Sequence, residues 1–397
     1  MKKLLTIPAL LAALFAGGAA RIVQDQCGPF TDVTPGFCPY ILELYYLGIT
    51  AGTSATTFSP DDTLTRGQGA VFIAKGLNQS LARSSRRAAL GQWWTVRNDQ
   101  SPGIDLLDLA GVTPVGSGPS FVAADGSDVW VTNNQSGTVS RVRASDGRVL
   151  ETWTGADSAY SVLVAMGRVF VTGNSDPGAL YMIDPSQPAG AVTVVATNFA
   201  ALPLGLAFDG SRLWSGNGDG TVSIFTPGAS LPWSVQTIPG FSYPASLAFD
   251  GANIWVSDYA GGEDDLGQLD ELDGSGNIVR SLRTGIGPQW MTFDGSSLWV
   301  PSLTGSVAVV RTSDAQIIGT VTVPRAFATA FDGRRVAIVS SDVSAGVGGV
   351  FFFDAATLSP IGSVSSSRAP TAVPRGICSD GINFWIAMVD LGELLRL

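Results

Sequence analysis

The stretch LAFDGSRLWSGN, residues 206 to 217, decides the fold because the chain repeats it. VAADGSDVWVTN starts at Val122, LAFDGANIWVSD at Leu247, MTFDGSSLWVPS at Met291, TAFDGRRVAIVS at Thr329 and ICSDGINFWIAM at Ile377. Each copy reads as a short apolar run, Asp-Gly, small or polar residues, and a second apolar run. Asp-Gly suits the positive dihedral angles of a tight hairpin turn, and short alternating runs of Val, Ile, Phe and Trp suit strands.

The Asp-Gly pairs of this phrase fall at 125, 209, 250, 294, 332 and 380, and Met166-Gly167 fills the slot between the first two. The steps are about 40 to 48 residues, the length of propeller blades rather than of shorter solenoid repeats. In the unit from Pro203 to Gly240, LGLAF reads as the innermost strand a, LWS as strand b, TVSIFT as strand c and WSVQTI as strand d. The spacing predicts a mainly β fold: a seven-bladed β-propeller of four-stranded antiparallel blades, the first starting near Ser120. Trp130, Trp214, Trp255, Trp299 and Trp385 recur at one position of strand b, where a large apolar ring fills the space between neighbouring sheets.

The last unit, GICSDGINFWIAMVDLGELLRL, stops after its third strand, which leaves an edge to be paired. GIDLLDLAGV, residues 103 to 112, has the length and apolar pattern of the missing strand and is expected to close the ring in the blade that ends at Leu397. The propeller is therefore assigned residues 104 to 397.

Residues 1 to 20, MKKLLTIPALLAALFAGGAA, have a basic start, an apolar stretch and a small-residue end, which reads as a secretory signal too short to span a membrane. The mature chain is expected to be exported, with no transmembrane segment. Cys27 and Cys38 can close one short loop as a disulfide in an oxidising compartment, and Cys378 is expected to be a buried small apolar residue.

Residues 27 to 77 form a separate unit, and the polar residues 78 to 103 read as a linker. CPYILELYYLGI carries Ile41, Leu44, Tyr45 and Leu47 at helical spacing, and Thr65 with Gln68 forms a capping box that opens a second helix. FTDV, YILELYYLGITAG and TFSPDDTLTRGQGAVFIAKGL together resemble one S-layer homology module. That resemblance implies a small α-helical unit in which the Arg of the Thr-Arg pair, Arg66, contacts anionic cell-wall polysaccharide.

Residues 104 to 397 resemble the YncE-like and streptogramin-lyase-like seven-bladed propellers through the repeated phrase. The resemblance implies the fold. The lyases of that superfamily are expected to use histidines with a metal, and this chain has no histidine. A Ser-His-Asp hydrolase is excluded on the same ground. A net charge of −10 argues against nucleic acid, which needs clustered Lys and Arg. The acidic run around Glu263, Asp264 and Asp265 fits no EF-hand loop, so neither metal nor cofactor is expected.

Strands alternate direction, so the short Asp-Gly turns lie on one face and the variable loops TNNQSG, GNSDPG, SDYAGGEDDLG and SSDVSAGVGG on the other. On the variable face strand b ends in Asn133, Asn174, Asn217, Asp258, Asp342 and Asp390, and strand a begins around Tyr160, Pro203, Tyr243, Gln289, Trp290, Phe327 and Arg375. Tyr160, Tyr243, Gln289, Trp290 and Arg375, with Asp258 and Asp342, are the expected ligand-binding residues around a central mouth. The expected function is non-catalytic binding of a polymer, protein or small ligand, with cell-envelope polysaccharide or a surface protein as partner. The alternative is a lyase or hydrolase that uses carboxylates such as Asp258 and Asp342 as acid and base.

Overall fold

The computed structural model describes residues 29–34, 41, 44, 50–65, 68–73, 111–261, 266–341, 349–365 and 373–397. The chain divides into two compact units, Met1–Ala82 and Arg83–Leu397.

In the first unit Phe30 and Ile41 are buried with Val33 and Phe58 packed against them, and the rings of Phe30 and Phe58 meet edge to face at 5.7 Å. Asp32 ties the two ends of this core together by accepting the amide N–H groups of Phe58 at 2.9 Å and Ser59 at 2.7 Å. Those bonds hold its carboxyl below the ordinary value. The capping box is formed: Thr65 N–H donates to Gln68 Oε1 at 2.9 Å and Gln68 N–H to Thr65 Oγ1 at 3.2 Å, at the start of the helical residues 68–73. Cys27, Cys38 and Arg66 lie outside the described residues.

The second unit is a seven-bladed propeller, seven four-stranded antiparallel sheets among the described residues. Blade 3 sets the pattern: strand a is Pro203–Phe208, b is Leu213–Asn217, c is Thr221–Thr226 and d is Ser234–Pro239. Strand b is buried along its whole length while strand d is largely exposed, because b lies between two neighbouring blades and d forms the rim.

The repeated phrase has a local physical cause. In blade 3 one oxygen of Asp209 accepts the amide N–H groups of Ser211 and Arg212, and the other accepts the indole N–H of Trp214 at 2.8 Å. Gly210 takes the turn at a φ of +93°. The same indole bond runs from Trp130 to Asp125, Trp255 to Asp250, Trp299 to Asp294 and Trp385 to Asp380, at 2.8 to 2.9 Å. All five indoles are fully buried, and the Asp five residues earlier removes the cost of burying their N–H.

Blade 7 takes its strands a to c from Pro374–Ser379, Phe384–Met388 and Glu393–Arg396 and its strand d from Gly111–Pro114. Gly111 pairs with Arg396 and Pro114 with Glu393, and Thr113 donates its hydroxyl to the Gly147 carbonyl in blade 1 at 2.7 Å. The closing strand is therefore GVTP, which overlaps the expected segment only at Gly111 and Val112; residues 103–110 lie outside the described residues. Of the four, only Thr113 is buried. An outermost strand is held by its backbone ladder, so an apolar pattern is a poor guide to its position.

Cys378, expected to be buried, is half-buried on strand a opposite Trp385. Desolvation, with Asp380 adding to it, pushes its thiol well up, so it stays protonated.

Candidate functional site

Strand a of each blade begins at the variable-loop face, and its first residue is Pro in blades 1, 3, 4 and 7, Pro119, Pro203, Pro244 and Pro374; in blade 5 Pro288 makes an isolated bridge to Ser302 ahead of the strand Thr292–Phe293. Proline costs nothing there, because the innermost strand is a sheet edge that needs no donor outward. A one-residue irregularity follows this position in six blades, as between Pro203 and Leu206, and turns the next side chains toward the axis.

All seven blades then contribute to one axial cluster. Phe121, Tyr160, Leu204 and Ala245 are buried together, with Tyr243, Trp290 and Phe327 packed against them, and Arg375 of blade 7 joins from the last side. Trp290 stacks at 4.7 Å from Phe121 and 4.9 Å from Phe327, and Phe121 lies 5.1 Å from Tyr160. Phe121 and Trp290 occupy the same register, two residues past the proline. The other blades place Ser161, Gly205, Ser246, Ala328 and Gly376 there, which leaves room for both rings. Gly376 is required: a Cβ on it would stand 2.5 Å from the Phe121 backbone. Beneath the cluster, toward the Asp-Gly turns, lies a cavity of about 140 Å³ lined by Ser161, Gly205, Ser246, Trp290 and Thr329 among others.

Arg375 is the cation of this cluster. Its guanidinium lies 5.1 Å from the ring centre of Tyr160 and 5.8 Å from that of Phe327, and it donates to the Tyr160 hydroxyl at 2.8 Å. Burial pushes the Tyr160 phenol above its ordinary value, and the pull of Arg375 in the other direction does not overcome it. Tyr160 is therefore a phenol that accepts from Arg375 and keeps a proton to donate. Tyr243 sits beside the cluster, edge to face with Tyr259 at 6.0 Å.

Of the expected site residues, the structure brings Tyr160, Trp290 and Arg375 together, with Tyr243 next to them. Gln289 is buried and donates its side-chain amide to the Gly287 carbonyl at 3.2 Å. Asp258 is also buried, and its two oxygens accept the amide N–H groups of Ser242 at 2.8 Å and Tyr243 at 2.6 Å, so its carboxylate shapes the loop that carries Tyr243. Its neighbour Asp270 is pushed up by burial, with bonds from Ser281 and Gln268 pulling back and Asp258 adding to the rise. Asp342 lies outside the described residues. Asn133 and Asn217 do not ring the mouth: both are fully buried and donate to Thr138 and Ser140, and to Thr221 and Ser223, on strand c. Sequence reasoning missed Phe121 and Tyr259. Pro119-Ser120-Phe121 has the spacing of Pro288-Gln289-Trp290, and that alignment would have found the former.

A larger cavity, about 640 Å³, opens on the Asp-Gly turn face at the seam of blades 1 and 7. Its charged groups are already engaged: Asp128 with Arg141, Arg143 with Asp146, Asp380 with Trp385, and Arg396 on the carbonyls of Ala144 and Ser145. The axial mouth retains unspent polar groups and is the better candidate. Among the described residues, no group of three or more His, Cys, Asp or Glu is placed to hold a metal ion, and no helix is long and apolar enough to cross a membrane.

Residues 29–70 match the S-layer homology domain. An endoglucanase of Bacillus sp. (strain KSM-635) is 42% identical over 79 residues, which cover 19% of this chain and 8% of that protein. The matched segment is thus a small part of the curated relative. The chain carries an S-layer homology domain and a seven-bladed propeller, and the former indicates association with the cell surface through envelope polymers.

Proposed function

We propose that the protein is an exported, non-catalytic binding protein, tethered to an envelope polysaccharide by its S-layer homology domain with Arg66 as a contact, whose propeller takes a ligand at the axial mouth. The carrying observation is the joined pair of Arg375 and Tyr160 set among aromatic rings contributed by several blades. A rigid ring that converges a cation, a phenol and apolar faces on its axis is a ligand platform. The seven-bladed fold supports the resemblance to YncE-like and streptogramin-lyase-like propellers. The endoglucanase activity in the relative's name stays with that protein, given the small share of it that matches. Both oxygens of Asp258 are spent on backbone amides, which favours binding over acid and base chemistry.

Co-sedimentation of the full chain with purified envelope polysaccharide tests the reading. Pelleting is expected to fall in Arg66→Ala and to persist in Arg375→Met, which separates the tether from the mouth. Equal pelleting of all three proteins would refute the role of Arg66.

A further inference from the structure

We infer that the axial mouth binds a carboxylate-bearing saccharide, with Arg375 and Tyr160 holding the carboxylate and the Tyr243–Tyr259 pair holding the face of the sugar ring. This rests on the reading of the mouth as the ligand site and adds the ligand's class.

Arg375 brings a positive charge to the mouth. A guanidinium has five N–H donors in a planar fork. Here one nitrogen bonds the Tyr160 hydroxyl, and among the described residues Arg375 has no carboxylate partner. Of the other arginines that stack on blade rings, Arg141 over Trp130, Arg212 over Trp214 and Arg280 over Trp255 are paired with Asp128, Asp209 and Glu271, while Arg396 over Trp385 is spent on the carbonyls of Ala144 and Ser145. The protein carries a net charge of −10, so carboxylates are plentiful, yet among the described residues none pairs with this cation. The rings of Tyr160 and Phe327 fix the guanidinium plane, which prepares it for a two-point contact with a carboxylate. Tyr160 keeps its phenolic proton and can add a third bond. The indole N–H of Trp290, in the same cluster, is buried without an acceptor among the described residues.

The surface beside it has the shape for a sugar ring. Tyr259 is 38% exposed and lies against Gly287, where a Cβ would stand 2.8 Å from its ring. Tyr243 lies against Gly218, where a Cβ would stand 3.2 Å from its ring. Two glycines on blades 3 and 5 thus make room for a pair of tyrosines next to the cluster. Flat amphipathic rings of this kind accept the apolar face of a sugar while their hydroxyls stay wet. An extended peptide is less well served. Recognition of a peptide backbone uses a free strand edge, and at the blade 5 to 6 contact the inner edge is already bonded, Trp290 N–H to the Phe327 carbonyl and Thr329 N–H to the Trp290 carbonyl, both at 3.0 Å.

The test is isothermal titration of the full chain with trigalacturonate, its fully methyl-esterified form, and triglutamate. The acid is expected to bind at least about tenfold more tightly than the ester, since charge-assisted hydrogen bonds are lost with the charge. Arg375→Met should remove that preference and Arg375→Lys should retain part of it; an unchanged thermal melt shows each variant to be folded. Tyr259→Ala should weaken acid and ester alike. Equal affinity for acid and ester in the parent protein, or triglutamate binding more tightly than trigalacturonate, overturns the ligand class while leaving the mouth as the site. No binding of trigalacturonate overturns the inference outright. Binding that neither Arg375→Met nor Tyr259→Ala alters overturns the assignment of the mouth itself.

Discussion

Blades 3 and 6 solve the same packing problem with different chemistry. In blade 3, Asp209 caps its turn and receives the indole of the buried Trp214. In blade 6 the Trp position is Ala337, and Asp332 receives the side chain of Arg335 instead, Nε to Oδ2 at 2.7 Å. Both partners of that ion pair are almost wholly buried, and the guanidinium lies 5.9 Å from the ring centre of Phe352 and 5.2 Å from that of Phe384. With the indole gone, an arginine and two phenylalanines share the space between blades 6 and 7. The carboxylate is therefore the constant of the six Asp-Gly turns, and what it must satisfy varies: a buried neutral N–H in five blades, joined in blade 3 by the partly exposed Arg212, and a wholly buried positive charge in blade 6. Blade 2 departs further: Phe170 has no N–H, and Ala165 stands at the register of the Asp while Met166-Gly167 makes the turn.

The largest consequence of this difference falls in blade 6. Asp332→Ala leaves a buried guanidinium without its counterion and is expected to cost about 3 to 5 kcal/mol, read as a shift in the urea unfolding midpoint. Adding Arg335→Leu should recover most of that loss, since the cost belongs to the stranded charge rather than to the missing carboxylate. Blade 3 should suffer less. Asp209→Ala strands a neutral indole N–H and two turn amides and leaves the Arg212 guanidinium, which is partly exposed, to water, a cost of about 1 to 3 kcal/mol. Equal losses in the two blades would end the distinction.

A pH series sharpens the same contrast. Burial raises the Asp209 carboxyl, but the bonds from Trp214, Arg212 and Ser211 outweigh it and bring it down to about 2 from the ordinary 3.8. A carboxyl depressed in the folded state adds stability that is fully present above its unfolded value and fades as pH falls through the folded one. The stability gap between the parent protein and Asp209→Ala should therefore be widest at neutral pH and narrow between about pH 4 and pH 2. Thermal melts of the two proteins across that range measure it; a gap that stays constant down to pH 2 would mean that the bonds to Asp209 do not depend on its charge.

What was legible in the sequence follows from how local each interaction is. The Asp-Gly turn and the Trp five residues later satisfy each other within one hairpin, so the phrase recurs in five blades, with altered copies in the other two, and yields the count, the strands and the buried face. Arg335 carries no such signal, because its role depends on a missing Trp at Ala337 and on Phe384, which comes from the next blade. Ring closure was legible as a need, a fourth strand for blade 7, but GVTP was not, since a rim strand contributes backbone bonds and little apolar burial. At the mouth, Tyr160, Trp290 and Arg375 stood out as residues that turn chemistry does not require. Asp258 and Gln289 stood out equally, yet both are spent internally, and only the fold reveals which polar groups have already found partners.

Blade 2 provides the smallest and most discriminating change. Met166 holds a φ of +53° at the turn, a conformation that costs a residue with a Cβ roughly 1 kcal/mol and that Asn and Asp tolerate better. Met166 is 42% exposed, so little packing is lost with it. Met166→Asn is expected to stabilise the protein by roughly 0.5 kcal/mol, seen as a small rise in melting temperature. Met166→Asp should match it, because Phe170 offers no N–H for the added charge to receive. In blade 3 the same pair of residues should not be equivalent: Asp209→Asn weakens charge-assisted bonds to the indole and the turn, and should lower the melting temperature. If Asp at position 166 gained clearly more than Asn, the added carboxylate would be capping the turn amides of blade 2 with no indole to receive.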